Sequence, residues 1–207
     1  STGVPLRDLV KAVGEIRQTP GRMEFVGGDR VSVFVDYAHT PDALEKACET
    51  LSDLHPNRLI TIFGCGGDRD RSKRPLMAEA ASRHSQFCIV TSDNPRSEEP
   101  QAIIDETTPG LGSARHEVVI DRREAIYSTI ENALPGDLIL IAGKGHETYQ
   151  EVNGKRQYFD DREVARRALE IRKKKEEVEF EKRQAEREER ERKRIKEDDG
   201  ERHFHQE

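Results

Sequence analysis

Three short runs of this sequence are apolar at nearly every position and then stop abruptly. They are Arg58-Leu-Ile-Thr-Ile-Phe63, Phe87-Cys-Ile-Val-Thr91 and Leu138-Ile-Leu-Ile-Ala142. A strand with one face in water alternates apolar and polar residues, whereas a run without alternation belongs to a strand covered on both faces. Such runs are also too short for helices of about ten residues or more. The segments between them carry helical spacing: Pro41–Leu54, residues 73–84, Arg123–Ala133 and a last helix near Asp161–Leu169. Thr40 is placed to cap the first of these, and Pro41 suits its first position. Val31–Val35 and Glu117–Asp121 read as further strands, and Glu24–Val26 as an extended segment before the turn Gly27-Gly28-Asp29. Residues 98–110 read as partly helical, and Asn153-Gly154 as a hairpin turn. Leu6, Leu9, Val10 and Val13 suggest a short helix within residues 1–18, with a break at Thr19-Pro20-Gly21. Strand followed by helix, repeated about four times, predicts an open, mostly parallel α/β sheet with right-handed crossovers.

Ligands of such sheets sit beyond the carboxyl ends of the strands. Here every polar cluster directly follows a strand, so the clusters should converge on one edge. Asp36-Tyr-Ala-His-Thr-Pro41 places a carboxylate, a phenol, an imidazole and a hydroxyl at a helix N-terminus. That group could hold an anion or a ribose, or be no more than a capped helix with a satisfied histidine. Gly64-Cys-Gly-Gly-Asp-Arg-Asp-Arg71 would let backbone approach a ligand closely, and it lacks the Gly-Lys-Ser/Thr of a phosphate loop. Its arginines could clamp a carboxylate or phosphate, or simply be solvated. Asp93-Asn-Pro-Arg96 offers a guanidinium and an amide, though an Asx turn before proline would look the same. In Gly143-Lys-Gly-His-Glu147 the carboxylate could bind an ammonium group, or the glycines could merely turn the chain. Together, acid, base and amide groups at one edge suit a zwitterion such as an amino acid.

Charge is unevenly distributed. The stretch from Ile171 on holds equal numbers of acids and bases, so the net charge of −6 lies on residues 1–170. An acidic body argues against general nucleic-acid affinity, which needs a basic surface to neutralise phosphates. Ile171–Lys196 is almost entirely Lys, Arg and Glu, with opposite charges three and four residues apart, as in Glu179–Arg183. That spacing supports a solvated helix, expected to fray into disorder after Asp198; its apolar residues form no heptad. Cys48, Cys65 and Cys88 form neither a disulfide framework nor a metal pattern, so no metal ligands are assigned. No apolar run approaches the roughly 20 residues of a membrane span. The missing initiator methionine fits a fragment or a processed chain.

In order, Gly21-Arg-Met-Glu24, Asp36-Tyr-Ala-His-Thr-Pro41, Phe63-Gly-Cys-Gly-Gly-Asp-Arg-Asp70, Lys73-Arg-Pro75, Asp93-Asn-Pro-Arg96 and Gly143-Lys-Gly-His-Glu147 resemble the Mur ligases. The likeness covers roughly residues 3–169 and is to the members that add meso-diaminopimelate to a peptidoglycan precursor. It implies a cytoplasmic, ATP-dependent amide-forming ligase acting on UDP-N-acetylmuramoyl-L-alanyl-D-glutamate, with ATP and Mg2+ as cofactors of the full enzyme. Residues 1–20 would end the central ATPase domain, 21–170 would form the Rossmann-like C-terminal domain that brings the amino acid, and 171–207 would be an appended tail of unknown partner. By resemblance, Arg69, Asp93, Asn94, Pro95, Arg96, Gly143 and Glu147 contact diaminopimelate. Arg22, Asp36, Tyr37 and His39 would lie near the nucleotide once the domains close. The family's phosphate loop and carbamylated lysine are missing here. The chain alone is therefore expected to hold no catalytic residue, to bind neither ATP nor magnesium, and to be inactive. The rival expectation is a non-catalytic assembly module, like the homologues in a plastid transcription complex, which would place it in the stroma.

Overall fold

The computed structural model describes the backbone of residues 19–204 and the side chains of 19–188 and 190. The helix expected within residues 1–18 lies outside the described residues.

Six strands form one sheet. They are β1 (Glu24–Gly27), β2 (Ser32–Asp36), β3 (Arg58–Phe63), β4 (Phe87–Val90), β5 (His116–Val118) and β6 (Asp137–Ala142), in the order β1-β2-β6-β3-β4-β5. Five run parallel, and β1 pairs antiparallel with β2 at one edge. Strand β6 is buried at all six positions because β2 and β3 flank it and both its faces are covered. Helices α1 (Pro41–Ser52) and α2 (Lys73–His84), then α3 (Pro100–Thr107) with a 3-10 turn at Thr108–Leu111, follow β2, β3 and β4. They pack with Leu59, Phe63, Cys88, Val90, Leu138 and Leu140 into one core. The alternate residues Ile60, Ile62, Ile89, Ile139 and Ile141 are buried on the opposite face, as are Ala125, Ile126 and Ile130 of α4 (Arg122–Asn132). The α/β reading of the sequence therefore holds, with helices on both faces.

Two differences concern boundaries. Strand β5 is His116–Val118 rather than Glu117–Asp121, because the chain turns at Asp121, whose side chain accepts from Glu124 N–H and caps α4. As the edge strand it is exposed at all three positions, so it carries no apolar signature. The last helix, α5, runs from Asp161 to Phe204: the helix expected near Asp161–Leu169 and the solvated helix expected over Ile171–Lys196 are one, and it continues past Asp198, where fraying is expected. Nothing in Glu170–Lys196 is a breaker, and pairs such as Arg172–Glu176 and Glu179–Arg183, each at 2.9 Å, link successive turns. Such pairs add only about 0.2–0.5 kcal/mol each. The chain divides into two compact units, residues 1–168 and 169–207, and the described part of the second is helix throughout. Among the described residues no helix is long and apolar enough to cross a membrane.

A two-stranded hairpin, β7 (Tyr149–Val152) and β8 (Lys155–Tyr158), turns at Asn153-Gly154 as expected. It also makes a bridge from Val152 to Arg96, outside its own ladder.

Candidate functional site

The parallel strands end on one side of the sheet, and the loops after β2, β3, β4 and β6 meet there around a cavity of ≈ 430 Å³. Tyr37, His39, Arg69, Asp93, Asn94, Arg96, Gly143 and Glu147 all line it, so eight of the residues picked out in the sequence come together. Lys73, Arg74, Cys65 and Tyr149 join them.

Each loop is held by contacts that cross between strands. Arg96 has a left-handed backbone, φ 53°, rare for a residue with a Cβ. The hairpin braces it: Arg96 N–H donates to Glu151 O at 2.9 Å and Arg96 O accepts from Asn153 N–H at 2.6 Å. Its guanidinium donates to Gly67 O at 2.6 Å, which ties the loop after β4 to the glycine loop after β3. Asn94 is buried, and its amide is used at both ends. Oδ1 accepts from Lys144 Nζ and from Glu151 N–H, each at 2.9 Å, and Nδ2 donates to Glu147 at 3.1 Å. Gly143, φ 117°, lies against the Asp93 carboxylate so closely that a Cβ there would meet Oδ2 at 2.7 Å. Arg69 is exposed at the rim and, among the described residues, has no hydrogen-bond or ion-pair partner. The charged groups that line the cavity include the guanidinium groups of Arg69 and Arg96 and the carboxylates of Asp93 and Glu147, with Asp70, Lys73 and Arg74 beside them.

Three expected residues sit elsewhere. Pro95 faces a neighbouring recess lined by Ser92, Ile120 and Val152, and its carbonyl underlies Gly67. The Asp36 carboxylate turns inward to accept from Met23 N–H at 2.6 Å and Ala38 N–H at 2.8 Å. Arg22 stacks over the Tyr37 ring at 4.6 Å. That ring also contacts His39 and His146, at centroid distances of 4.4 and 5.2 Å. Arg22 and His146 thus extend the cavity wall at Tyr37 and His39 into a cationic, aromatic ledge. Among the described residues no three His, Cys, Asp or Glu side chains gather as metal ligands.

Comparison with known proteins supplies the deciding observation. The model of the Mur ligase glutamate ligase domain matches residues 21–145, more than half of the chain. The chain belongs to the Mur ligase family. Similar proteins include the UDP-N-acetylmuramoyl-L-alanyl-D-glutamate–2,6-diaminopimelate ligases of Syntrophomonas wolfei and Bacillus cereus. The first is 53% identical over 78% of this chain and 34% of the relative, and the second is 47% identical over 85% and 36%. A solved structure of a ligase of that name superposes with a TM-score of 0.72 at 47% identity, over 82% of this chain and 35% of that one. A UDP-N-acetylmuramate-alanine ligase from Thermotoga maritima shares the fold, with a TM-score of 0.57 at 19% identity, over 84% of this chain and 34% of that one. The chain spans about a third of the length of the curated relatives it matches.

Within this Mur ligase domain the sequence reading missed the support beneath the site. Arg74 is buried and pairs with Glu98 and Glu106, each at 2.7 Å. Glu98 also accepts from Asp68 N–H at 2.6 Å, so the network fixes the loop that carries Arg69. The Arg74 hydrogen bonds hold the Glu98 carboxyl down at about 2, far below the ordinary glutamate value. A lowered carboxyl value stabilises the fold above the unfolded value of about 4.3, and the gain is lost as pH falls from there to about 2. Urea denaturation should therefore show Glu98→Gln less stable than the parent near neutrality, with the gap closing across that acid window. A gap that is constant with pH would contradict the assignment. The bare signal for this network was the Lys73-Arg74-Pro75 motif, but its partners lie 24 and 32 residues away.

Proposed function

We propose that this domain binds meso-diaminopimelate and presents its amine as the nucleophile of an ATP-dependent ligase that extends UDP-N-acetylmuramoyl-L-alanyl-D-glutamate. One observation carries the reading: Arg69 and Arg96 line the same cavity as Asp93 and Glu147. Diaminopimelate has a carboxylate and an ammonium group at each end. One end fits this set, with the carboxylate on the arginines and the ammonium on the acids, which leaves the other amine free to react. Lysine lacks the distal carboxylate and would leave guanidinium charge unmatched, which is how a polar site rejects a near analogue. The similar ligases are named for diaminopimelate, which supports this choice.

In the family reaction the precursor carboxylate would be activated by phosphoryl transfer from ATP, with ADP released, on further domains that would hold the nucleotide and magnesium. The amine nitrogen then forms the new bond to the acyl carbon as phosphate leaves, and the nitrogen gives up its proton. The residues named here act on the amine partner alone. They bind it, orient it and raise its effective concentration at the acyl carbon. The ledge of Arg22, Tyr37, His39 and His146 would face the nucleotide, with Asp36 setting the backbone beneath it. ATP, magnesium and the UDP-linked dipeptide would be held by further domains like those of the longer relatives, with residues 1–20 the end of the central one. Residues 21–170 would be the amino-acid-binding domain and 171–207 an added tail. We place the enzyme in the cytoplasm, where ATP and nucleotide-linked precursors are found.

Calorimetric titration of the chain with meso-diaminopimelate and L-lysine tests this. The diamino dicarboxylate should bind more tightly than lysine. Arg96→Ala should weaken it by roughly thirtyfold or more, about 2 kcal/mol, the lower bound for stripping one partner from a desolvated charge pair. If neither amino acid binds at millimolar concentration, the proposal fails. If lysine binds as well as diaminopimelate, the specificity does.

A further inference from the structure

Lys144 ends in the middle of the site without facing the cavity. Its side chain is fully buried at the carboxyl end of β6, between Gly143 and the turn that carries Glu147. The ammonium donates to Asn94 Oδ1 at 2.9 Å and to Tyr149 O at 2.7 Å, and it lies 3.8 Å from Asp93 and 3.9 Å from Glu147. A buried ammonium persists only where acceptors and opposite charge surround it. Burial pushes Lys144 below the ordinary lysine value, and Asp93 is the strongest charge pulling it back.

Two consequences follow from the geometry. An ammonium only donates, and so does the Glu151 N–H; between them they fix the Asn94 oxygen inward and turn the amide NH2 toward Glu147. The second concerns charge. Asp93 and Glu147 bring two negative charges to one end of the cavity, and Lys144 is a resident positive charge against both. That leaves room for a single additional cation.

We propose that Lys144 is a positioning residue that neutralises half of the Asp93–Glu147 acid pair and locks the Asn94 amide, so that the site takes one ligand ammonium group and no more. The ligand's identity rests on the diaminopimelate reading, while the role of the lysine does not. With Lys144 in place, an ammonium beside a carboxylate matches the acids and the arginines together. Without it the acid pair is left with two unmatched charges and favours dicationic amines.

Lys144→Met keeps the shape and removes the charge. In calorimetry its affinity for meso-diaminopimelate should fall by about tenfold or more, as expected when one member of a buried, hydrogen-bonded charge group is removed. Affinity for cadaverine, a dication with no carboxylate, should hold or rise, so the ratio between the two ligands contracts. A lysine that only props up the fold would weaken both in proportion and leave the ratio unchanged, and that result overturns the proposal. NMR of the ligand-free protein separates this inference from the functional one. The Asn94 side-chain amide signals should be sharp and slowly exchanging in the parent and shifted or broadened in the variant; unchanged signals overturn the proposal. An amide that responds in a protein that binds no diaminopimelate supports the role of Lys144 and sinks the ligand assignment. Should Lys144→Met fail to fold, the parent's Lys144 Nζ signal decides. Slow exchange is expected, and exchange as fast as that of a surface lysine overturns the proposal.

Discussion

Replacing Arg122 with methionine is expected to cost the fold about 3–5 kcal/mol, the range for breaking a fully buried ion pair by removing one partner. Arg122 and Asp161 are both fully buried and meet through two bonds, Nε to Oδ1 at 2.8 Å and Nη2 to Oδ2 at 2.7 Å. The same guanidinium reaches Ala142 O at 2.9 Å and Ser92 O at 3.4 Å, so it joins the starts of α4 and α5 to the carboxyl ends of β6 and β4. Methionine fills much of the space but leaves the Asp161 carboxylate buried without a counter-charge. For a chain of this size each kcal/mol moves the melting temperature by about 2–4 °C, so a fall of roughly 10 °C is expected. The double variant Arg122→Met with Asp161→Leu should recover most of the loss, because an apolar pair of similar volume has no stranded charge. Urea denaturation of the parent and the three variants checks the cycle. A single variant within about 1 kcal/mol of the parent would show that the pair is not the clamp described.

The second large effect is on binding. Gly67→Ala should lower affinity for meso-diaminopimelate by about a hundredfold or more while leaving the sheet folded. A Cβ on Gly67 would lie 1.9 Å from Pro95 O, far inside contact distance. Gly67 N–H donates to Asn94 O at 2.9 Å, and Gly67 O accepts from the Arg96 guanidinium. The added methyl must therefore push apart the two loops whose relative position sets Arg96 and Asn94. Displacements of about 1 Å at a binding constellation can cost on the order of a hundredfold. Calorimetry reads the affinity and circular dichroism the fold. Binding within a few fold of the parent would mean that the cavity tolerates the shift.

The sheet and the location of the site could be read in the sequence for one reason. Buried parallel strands are apolar at almost every position, and the polar residues that end them mark where ligands go. Runs such as Leu138–Ala142 announce themselves, whereas β5, as an exposed edge, has no such pattern and was placed three residues too far along at its end. The contacts that shape the site were hidden because they join distant residues. Asn94 meets Lys144 across 50 residues and the Glu151 N–H across 57, and no local pattern encodes either. The hairpin turn at Asn153-Gly154 was visible, but its bracing of Arg96 was not. Pro95 belongs to the motif that resembles the family's, and yet its ring turns away from the cavity while its carbonyl limits what can stand at Gly67. The sequence reading divides α5 into a last helix near Asp161–Leu169 and a solvated helix over Ile171–Lys196, although helices end at stop signals and the sequence after Leu169 supplies none until Gly200.

The strand at the middle of the sheet is also the last of the six to be made. Until residues 137–142 leave the ribosome, β2 and β3 have no common neighbour, and each exposes an open edge. Closing the sheet requires Ser32 to meet Leu138 across more than a hundred residues, a contact of the kind that slows folding. Nascent chains that stop before Asp137 should therefore hold two unjoined pieces of sheet, the pair β1-β2 and the trio β3-β4-β5, each unpaired along one apolar side, the form in which chains aggregate or engage chaperones. Addition of β6 completes the sheet, and its carboxyl end carries Gly143, Lys144 and Glu147. Structural maturation and assembly of the cavity are thus a single late event in the life of the chain.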